Sequence, residues 1–318
     1  MITFGFETEG IDVVRHFSDN VAGRIFAITG TSAGGIGAET AISLAHGNPS
    51  QIILLGRNQS RIDPVIASIA AINPSVTVKF VPVDLSSLAS TRAAAATILA
   101  DASIPHIDVL INNAAVMACP LTRTTDGFEL QLAAAHIGHF LLTNLLLSKI
   151  SVSGGARIVT VSSVANTYSD IRLDDPNYVL RPDEYSEFGA YGQAKTANVL
   201  FTTELRRRLA GRGITAYSLH PGGVASNLGQ YMTPEVKAQA MKKVAESGKP
   251  LRHKNLQQGC STTLRAALDA SLDGHDGFYL NDCQVTSDKE WLAPWAVDEE
   301  NARKCWEMTE ELVGEKFL

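Results

Sequence analysis

From Arg24 onward, short apolar runs of strand length alternate with longer segments whose apolar residues recur at helical spacing. Ile25–Thr29 precedes Ile36–Ala45, and Ile52–Leu55 precedes Arg61–Ile72. Val78–Val83 leads into the alanine-rich stretch Leu88–Leu99, and Val109–Ile111 into Phe128–Leu147. Ile158–Val161 is followed, after an insertion, by a helix around Tyr191, and then by Ala216–Leu219. Strands separated by helices imply βαβ units, a parallel sheet and right-handed crossovers. Near-continuous apolar strands suit a sheet covered on both faces. The expected fold is therefore α/β: one domain built on a doubly wound parallel sheet with helices on both faces. Residues 1–20 read as an N-terminal arm, with Ile11, Val14 and Phe17 at helical spacing. Residues 21–318 form the body, with an insertion at about 167–188, a loop at about 227–255 expected to close over the site, and a C-terminal cap.

Composition narrows the function classes. Apolar residues make up 45% and charged residues 19%, the balance of a globular protein with ample core material. A net charge of −6 argues against a general nucleic-acid or anionic-membrane surface. The four cysteines are far apart, with no Cys-x-x-Cys and no histidine cluster at metal spacing, so free thiols in a reducing compartment are expected. No basic region followed by an apolar core opens the chain, and no apolar run reaches the roughly 18 residues of a membrane span. The reading is a cytoplasmic protein without an integral membrane segment or a nucleic-acid partner.

Two stretches carry candidate chemistry. Thr29-Gly30-Thr31-Ser32-Ala33-Gly34-Gly35-Ile36-Gly37 joins the first strand to the first helix. Glycines there permit a tight turn and close approach of a pyrophosphate, met by N–H groups at the helix N-terminus. The same glycines also suit a turn that merely packs tightly. Gly189-Ala190-Tyr191-Gly192-Gln193-Ala194-Lys195 holds the only Tyr with a Lys four places on. On a helix these share a face, where the ammonium would favour the phenolate and lower the Tyr191 pKa. An exposed pair on an ordinary amphipathic helix has the same pattern, so the stretch gains meaning only from the residues around it.

Those residues fall into register. Asp84 follows the third strand, Asn112-Asn113-Ala114-Ala115 the fourth, Ser162-Ser163 the fifth, and His220-Pro221-Gly222-Gly223-Val224 the sixth. With the glycine turn and the Tyr191–Lys195 pair, this chain resembles the short-chain dehydrogenase/reductase family from about Val21 to Gly314. Within the family it is similar to the retinol-dehydrogenase-like and WW-domain-oxidoreductase branch. The resemblance implies a Rossmann-type fold and a nicotinamide coenzyme. Gly30, Ser32, Gly34, Gly35, Ile36 and Gly37 would hold its pyrophosphate, with Gly34 and Gly35 not distinguished. Asp84 and Leu85 would lie at the adenine, and Asn112, Asn113 and Ala114 at the ribose. Pro221, Gly222, Val224 and Ser226 would meet the nicotinamide. It further implies Tyr191 as general acid/base, Ser163 stabilising the carbonyl oxygen, Lys195 holding the ribose and depressing the Tyr191 pKa, and Ser162 as a packing residue.

The second strand ends Gly56-Arg57-Asn58. An acid there accepts from a ribose 2′-hydroxyl, whereas Arg57, with Asn58 and Ser32 beside it, accommodates a 2′-phosphate. The coenzyme expected is NADP(H), and the partner a small carbonyl or alcohol, with Tyr231, Met232 and Met241 suggesting a lipophilic one or else packing. A homo-oligomer is possible within such a family. Three departures stand out. The glycine turn is one residue longer than usual, twenty-eight positions separate Ser163 from Tyr191, and Ala135 replaces the family's Asn before His136. That Asn is assigned to the proton relay. The alternatives are therefore an NADP(H)-binding protein with little redox turnover, or a lyase, epimerase or cyclase on the same fold.

Overall fold

The structure, a computed structural model, describes residues 3–150, 155–246 and 252–318. Its parallel strands are β1 (Ile25–Thr29), β2 (Gln51–Gly56), β3 (Thr77–Pro82), β4 (Val109–Asn112), β5 (Ala156–Val161), β6 (Ile214–His220) and β7 (Tyr279–Asn281). The two-residue β8 (Gln284–Val285) pairs antiparallel with β7, completing the order β3-β2-β1-β4-β5-β6-β7-β8. The chain winds outward from β1 to β3, then returns to lay β4 on the other side of β1. At that reversal the loops leaving β1 and β4 diverge and open a crevice beyond the carboxyl ends of the strands.

The helices are α1 (Gly10–His16), α2 (Ile36–Leu44), α3 (Asp63–Ile72), α4 (Leu88–Ala100), α5 (Leu130–Leu132), α6 (Gly138–Ile150), α7 (Glu187–Arg208), α8 (Pro234–Glu246), α9 (Leu256–Leu268) and α10 (Glu299–Val313). Strand side chains alternate between two cores. Ala27, Ile53, Leu110 and Ile158 face α4, α6, α7 and α10, whereas Phe26, Leu54, Ile111 and Val159 face α1, α2, α3 and α9. Full burial of one such Leu or Ile contributes about 1.5–3 kcal/mol, so the continuous apolar strands are the main determinant of the layer order. The segment read as an arm includes α1, whose Val13 and Val14 are fully buried in the second core.

Several details differ from the sequence reading. The C-terminal cap resolves into α9, β7, β8 and α10, and so extends the sheet itself. Asp282 and Cys283 turn the chain between β7 and β8 with φ of 47° and 61°. No glycine marks that left-handed turn, and strands this short carry no periodicity. No apolar run of membrane length was expected. By mean hydropathy, however, Leu130–Ile150 is long and apolar enough, with 78% of its window buried in the protein. A π turn, Ala133–Ile137, links α5 to α6 within it.

Long helix α7 carries the Tyr191 stretch. The Ser186 hydroxyl caps it by accepting from Gly189 N at 3.2 Å, an interaction worth about 1 kcal/mol. Glu187 in its first turn and Arg206, Arg207 and Arg208 in its last complement the helix dipole. Gly192 lets α7 sit against the segment after β5, where a Cβ would lie 2.8 Å from Ala165 O.

Candidate active site

The glycine turn is shaped by contacts that no other residue permits. Gly30 has φ +72°, and a Cβ there would meet Ala114 Cα at 2.8 Å. At Gly37 a Cβ would fall 2.7 Å from Gly30 O and still closer to the Asn113 side chain. The sequence left Gly34 and Gly35 undistinguished. Here Gly34 makes the left-handed bend at φ +78° and is exposed, while Gly35 is the extended N-cap of α2 with no side-chain cap. Ser32 O accepts from Gly35 N at 3.1 Å, and Ile36 begins the helix. The uncapped N–H groups of α2 thus open onto a glycine-lined surface, which fits a pyrophosphate.

Thr29 joins this turn to the end of β4. Its Oγ1 accepts from Asn113 N at 2.9 Å and Ala114 N at 3.0 Å, and pairs with His139 Nε2 at 2.8 Å. Asn113 Nδ2 donates back to Thr29 O at 2.8 Å. The Asn112 side chain, expected near a ribose, instead donates to Thr143 Oγ1 of α6 at 2.9 Å and is buried. Strand alternation turns it away from its neighbour, so it ties sheet to helix, and the Asn113–Ala114 backbone faces the crevice.

Asp84 accepts from Ser86 N at 3.0 Å and Ser86 Oγ at 2.6 Å, while Ser87 caps α4. Leu85 is buried against Gly138. Asn58 Oδ1 accepts from Ser60 N at 3.0 Å, so its amide oxygen serves the local turn. Arg57 is exposed and donates to Tyr231 Oη at 3.0 Å. After β6, Pro221 is buried and Gly222 has φ +99°. Val224 bridges Lys254, and the Ser226 hydroxyl caps the next turn by accepting from Leu228 N at 3.4 Å.

Ser163, Tyr191 and Lys195 converge beside this loop. Lys195, 2% exposed, donates to Val161 O at 2.8 Å, and Asn198 Nδ2 donates to the same carbonyl at 3.2 Å. Lys195 Nζ lies 5.6 Å from the Tyr191 ring centroid. The expectation that Lys195 depresses the Tyr191 pKa is corrected. Burial dominates and raises Tyr191 above its ordinary value, with Ser163 the hydrogen-bonding group that pulls it back. Burial likewise lowers Lys195 to about 7, so its own charge is partial at neutral pH. Ser162 Oγ donates to Lys195 O at 2.8 Å, a packing bond within the scaffold.

Ala135 sits in the π turn, fully buried, and its carbonyl pairs with His139 Nδ1 at 2.9 Å. Burial lowers His139 to about 4 and His136 to about 3. Both are neutral, and His136 pairs with Thr309 of α10 at 2.9 Å. Thr29 was missed because nothing in the sequence marks a strand-terminal threonine as a hub. So was Asn166, which donates to Ser163 O at 2.7 Å and Trp291 O at 2.8 Å and accepts from Ala293 N at 2.8 Å.

A glycine-turn α/β sheet with Ser, Tyr and Lys gathered at its carboxyl edge places the protein in a defined class. The chain belongs to the short-chain dehydrogenase/reductase family of oxidoreductases, whose short chain dehydrogenase profile matches residues 24–174. Within it, the chain falls in the retinol-dehydrogenase-like branch. It is 38% identical to retinol dehydrogenase 12 of Bos taurus over 293 residues, covering 92% of this chain and 87% of that one. It is 36% identical to a short-chain dehydrogenase/reductase of Penicillium roqueforti, covering 92% and 85% respectively. Among solved structures, an uncharacterised protein from Mycobacterium paratuberculosis superposes with a TM-score of 0.69 at 32% identity, covering 93% of this chain and 96% of that one. An NADPH-bound carbonyl reductase from chicken fatty liver shares the fold, with a TM-score of 0.59 at 21% identity, covering 84% and 100%.

Proposed function

We propose that this protein is an NADP(H)-dependent oxidoreductase that interconverts a lipophilic ketone or aldehyde with its alcohol. The observation that carries the reading is the convergence of Ser163, Tyr191 and Lys195 beside a glycine turn whose neighbouring strand β2 is followed by Arg57 rather than an acid. The coenzyme, when bound, supplies or accepts the hydride. Tyr191, kept neutral by burial, gives its phenolic proton to the carbonyl oxygen in reduction and recovers it in oxidation. Ser163 donates to the same oxygen as charge develops there. Lys195 has one N–H committed to Val161 O and holds the ribose hydroxyls with the others. Arg57 receives the 2′-phosphate. The retinol dehydrogenase relatives make retinoid aldehydes the first lipophilic substrates to try.

The test is to bind NADPH and follow its absorbance with retinal and a panel of other carbonyl compounds. Turnover is expected, and Tyr191→Phe should lower it by at least about a thousandfold while coenzyme binding persists. Unchanged activity in Tyr191→Phe would sink the mechanism. One observation favours a second reading, a coenzyme-binding protein with little turnover: Ala135 offers no side-chain donor, and its carbonyl pairs with His139. Tight NADPH binding without oxidation by any carbonyl compound would select it.

A further inference from the structure

The segment after Ser226 was expected to close over substrate, yet its first turn lies against the coenzyme end of the crevice. The 3-10 turn Asn227–Tyr231 makes three polar contacts outside itself, two of them from Asn227 and Gln230, whose three-residue spacing stacks them on one face, and the third from the adjoining Tyr231. Asn227 Nδ2 donates to Ala33 O in the glycine turn at 2.8 Å. Gln230 Oε1 accepts from Arg61 Nη1 at 3.4 Å, and Tyr231 Oη accepts from Arg57 Nη2 at 3.0 Å. The base of this excursion is fixed. Lys254 N donates to Gly223 O at 2.9 Å, and its buried side chain lies under Gly222 within ion-pair distance of Asp282, at 2.6 Å but off the hydrogen-bond axis.

Charge supplies a second, independent observation. Arg57 and Arg61 are both exposed on the segment leaving β2, one on either side of the extended Asn58 that opens the 3-10 turn Gln59–Arg61. Among the described residues neither is ion-paired, although most other arginines of the chain are. Their partners from the lid turn are a neutral hydroxyl and a neutral amide. Two unpaired guanidinium groups, each hydrogen-bonded to its own neutral group from the turn, form a surface suited to a dianion. A phenol that accepts from Arg57 keeps its own proton to donate to a phosphate oxygen.

We infer that Tyr231, with Gln230 beside it, belongs to the 2′-phosphate site, so that the turn expected to cover substrate also discriminates between coenzymes. This rests on the NADP(H) reading above. Tyr231 is then a coenzyme-specificity residue and not part of the substrate lining. The lid is held down by the adenosine end of the coenzyme through Arg57 and Arg61, and by the glycine turn through Asn227.

The test is fluorescence titration of the full chain with NADPH and with NADH, for the unaltered protein and for Tyr231→Phe, Gln230→Ala and Arg57→Leu. Tyr231 is exposed, so losing its hydroxyl leaves the core untouched. Tyr231→Phe is expected to weaken NADPH binding roughly tenfold and to leave NADH binding within about twofold, with Gln230→Ala moving the same way by less. If Arg57→Leu weakens NADPH while Tyr231→Phe and Gln230→Ala do not, the lid has no part in the site and the proposal fails alone. Equal weakening of both coenzymes by Tyr231→Phe also overturns it, since the hydroxyl would then serve lid packing. If the unaltered protein binds NADH as tightly as NADPH, the NADP(H) reading fails and the proposal falls with it.

Discussion

Lys195 shows how burial and chemistry trade against each other at a single residue. Its ordinary pKa of 10.5 falls to about 7 because the ammonium is removed from water. Between those values the unfolded chain binds a proton that the folded protein does not, so stability rises with pH across that window and is lost as pH falls toward 7. Lys195→Met should therefore raise the melting temperature of the coenzyme-free protein near pH 7 by roughly 2–4 °C, a gap that narrows toward pH 9.5. Val161 O keeps Asn198 as a donor in that variant, so no buried carbonyl is orphaned. Thermal scans across pH 7–9.5 check this, and a variant less stable than the parent at pH 7 would show that the ammonium is not penalised. The same substitution should weaken coenzyme binding and lower kcat at least about a hundredfold.

At the scale of elements, the sequence made the strands and helices from β1 to β6 legible because continuous apolar runs and 3.6-residue periodicity are strong signals. The turn was legible where backbone geometry demands glycine, as at Gly30 and Gly37, and the Tyr191–Lys195 spacing became legible only with the register of the motifs around it, whereas the split between Gly34 and Gly35 did not. The site was illegible where a common residue acts through tertiary placement. Thr29, Asn166 and Lys254 carry no local pattern, and Asn112 turned inward because strand alternation gives adjacent residues opposite faces. The balance between burial and charge at Tyr191 also depends on packing that spacing does not reveal. Gly37→Ala tests the glycine argument: its methyl would overlap Gly30 O and the Asn113 side chain that staples β1 to β4. A loss of about 1–3 kcal/mol in denaturant unfolding is expected, together with loss of NADPH binding. Full binding by Gly37→Ala would mean the turn has slack that the structure does not show.

For the whole molecule, the response to acid sums buried groups from opposite ends of the fold. His136 packs the π turn against α10, His139 links that turn to β1, and His220 ends β6 with its ring stacked on Trp291. Burial lowers them to about 3, 4 and 4 from an ordinary 6.5. Each is neutral when folded and takes up a proton on unfolding below pH 6.5, so its contribution is present above 6.5 and is lost as pH falls toward 4. Glu129 has the opposite sign. It caps α5, accepting from Gln131 N at 2.9 Å and Leu132 N at 2.7 Å, and burial raises it from 4.5 to about 7. Its contribution is present below 4.5 and is lost as pH rises through 7, partly offsetting the histidines in their shared window. Three protons on one side against one on the other leave a net loss of stability toward acid. The melting temperature should therefore fall by several degrees from pH 6.5 to 4.5. His136→Gln should make that slope shallower, and Glu129→Gln, which removes the opposing titration, should make it steeper. Melting curves of the three proteins over pH 4.5–7.5 decide the matter: parallel slopes would show that these buried groups titrate alike in the folded and unfolded chains.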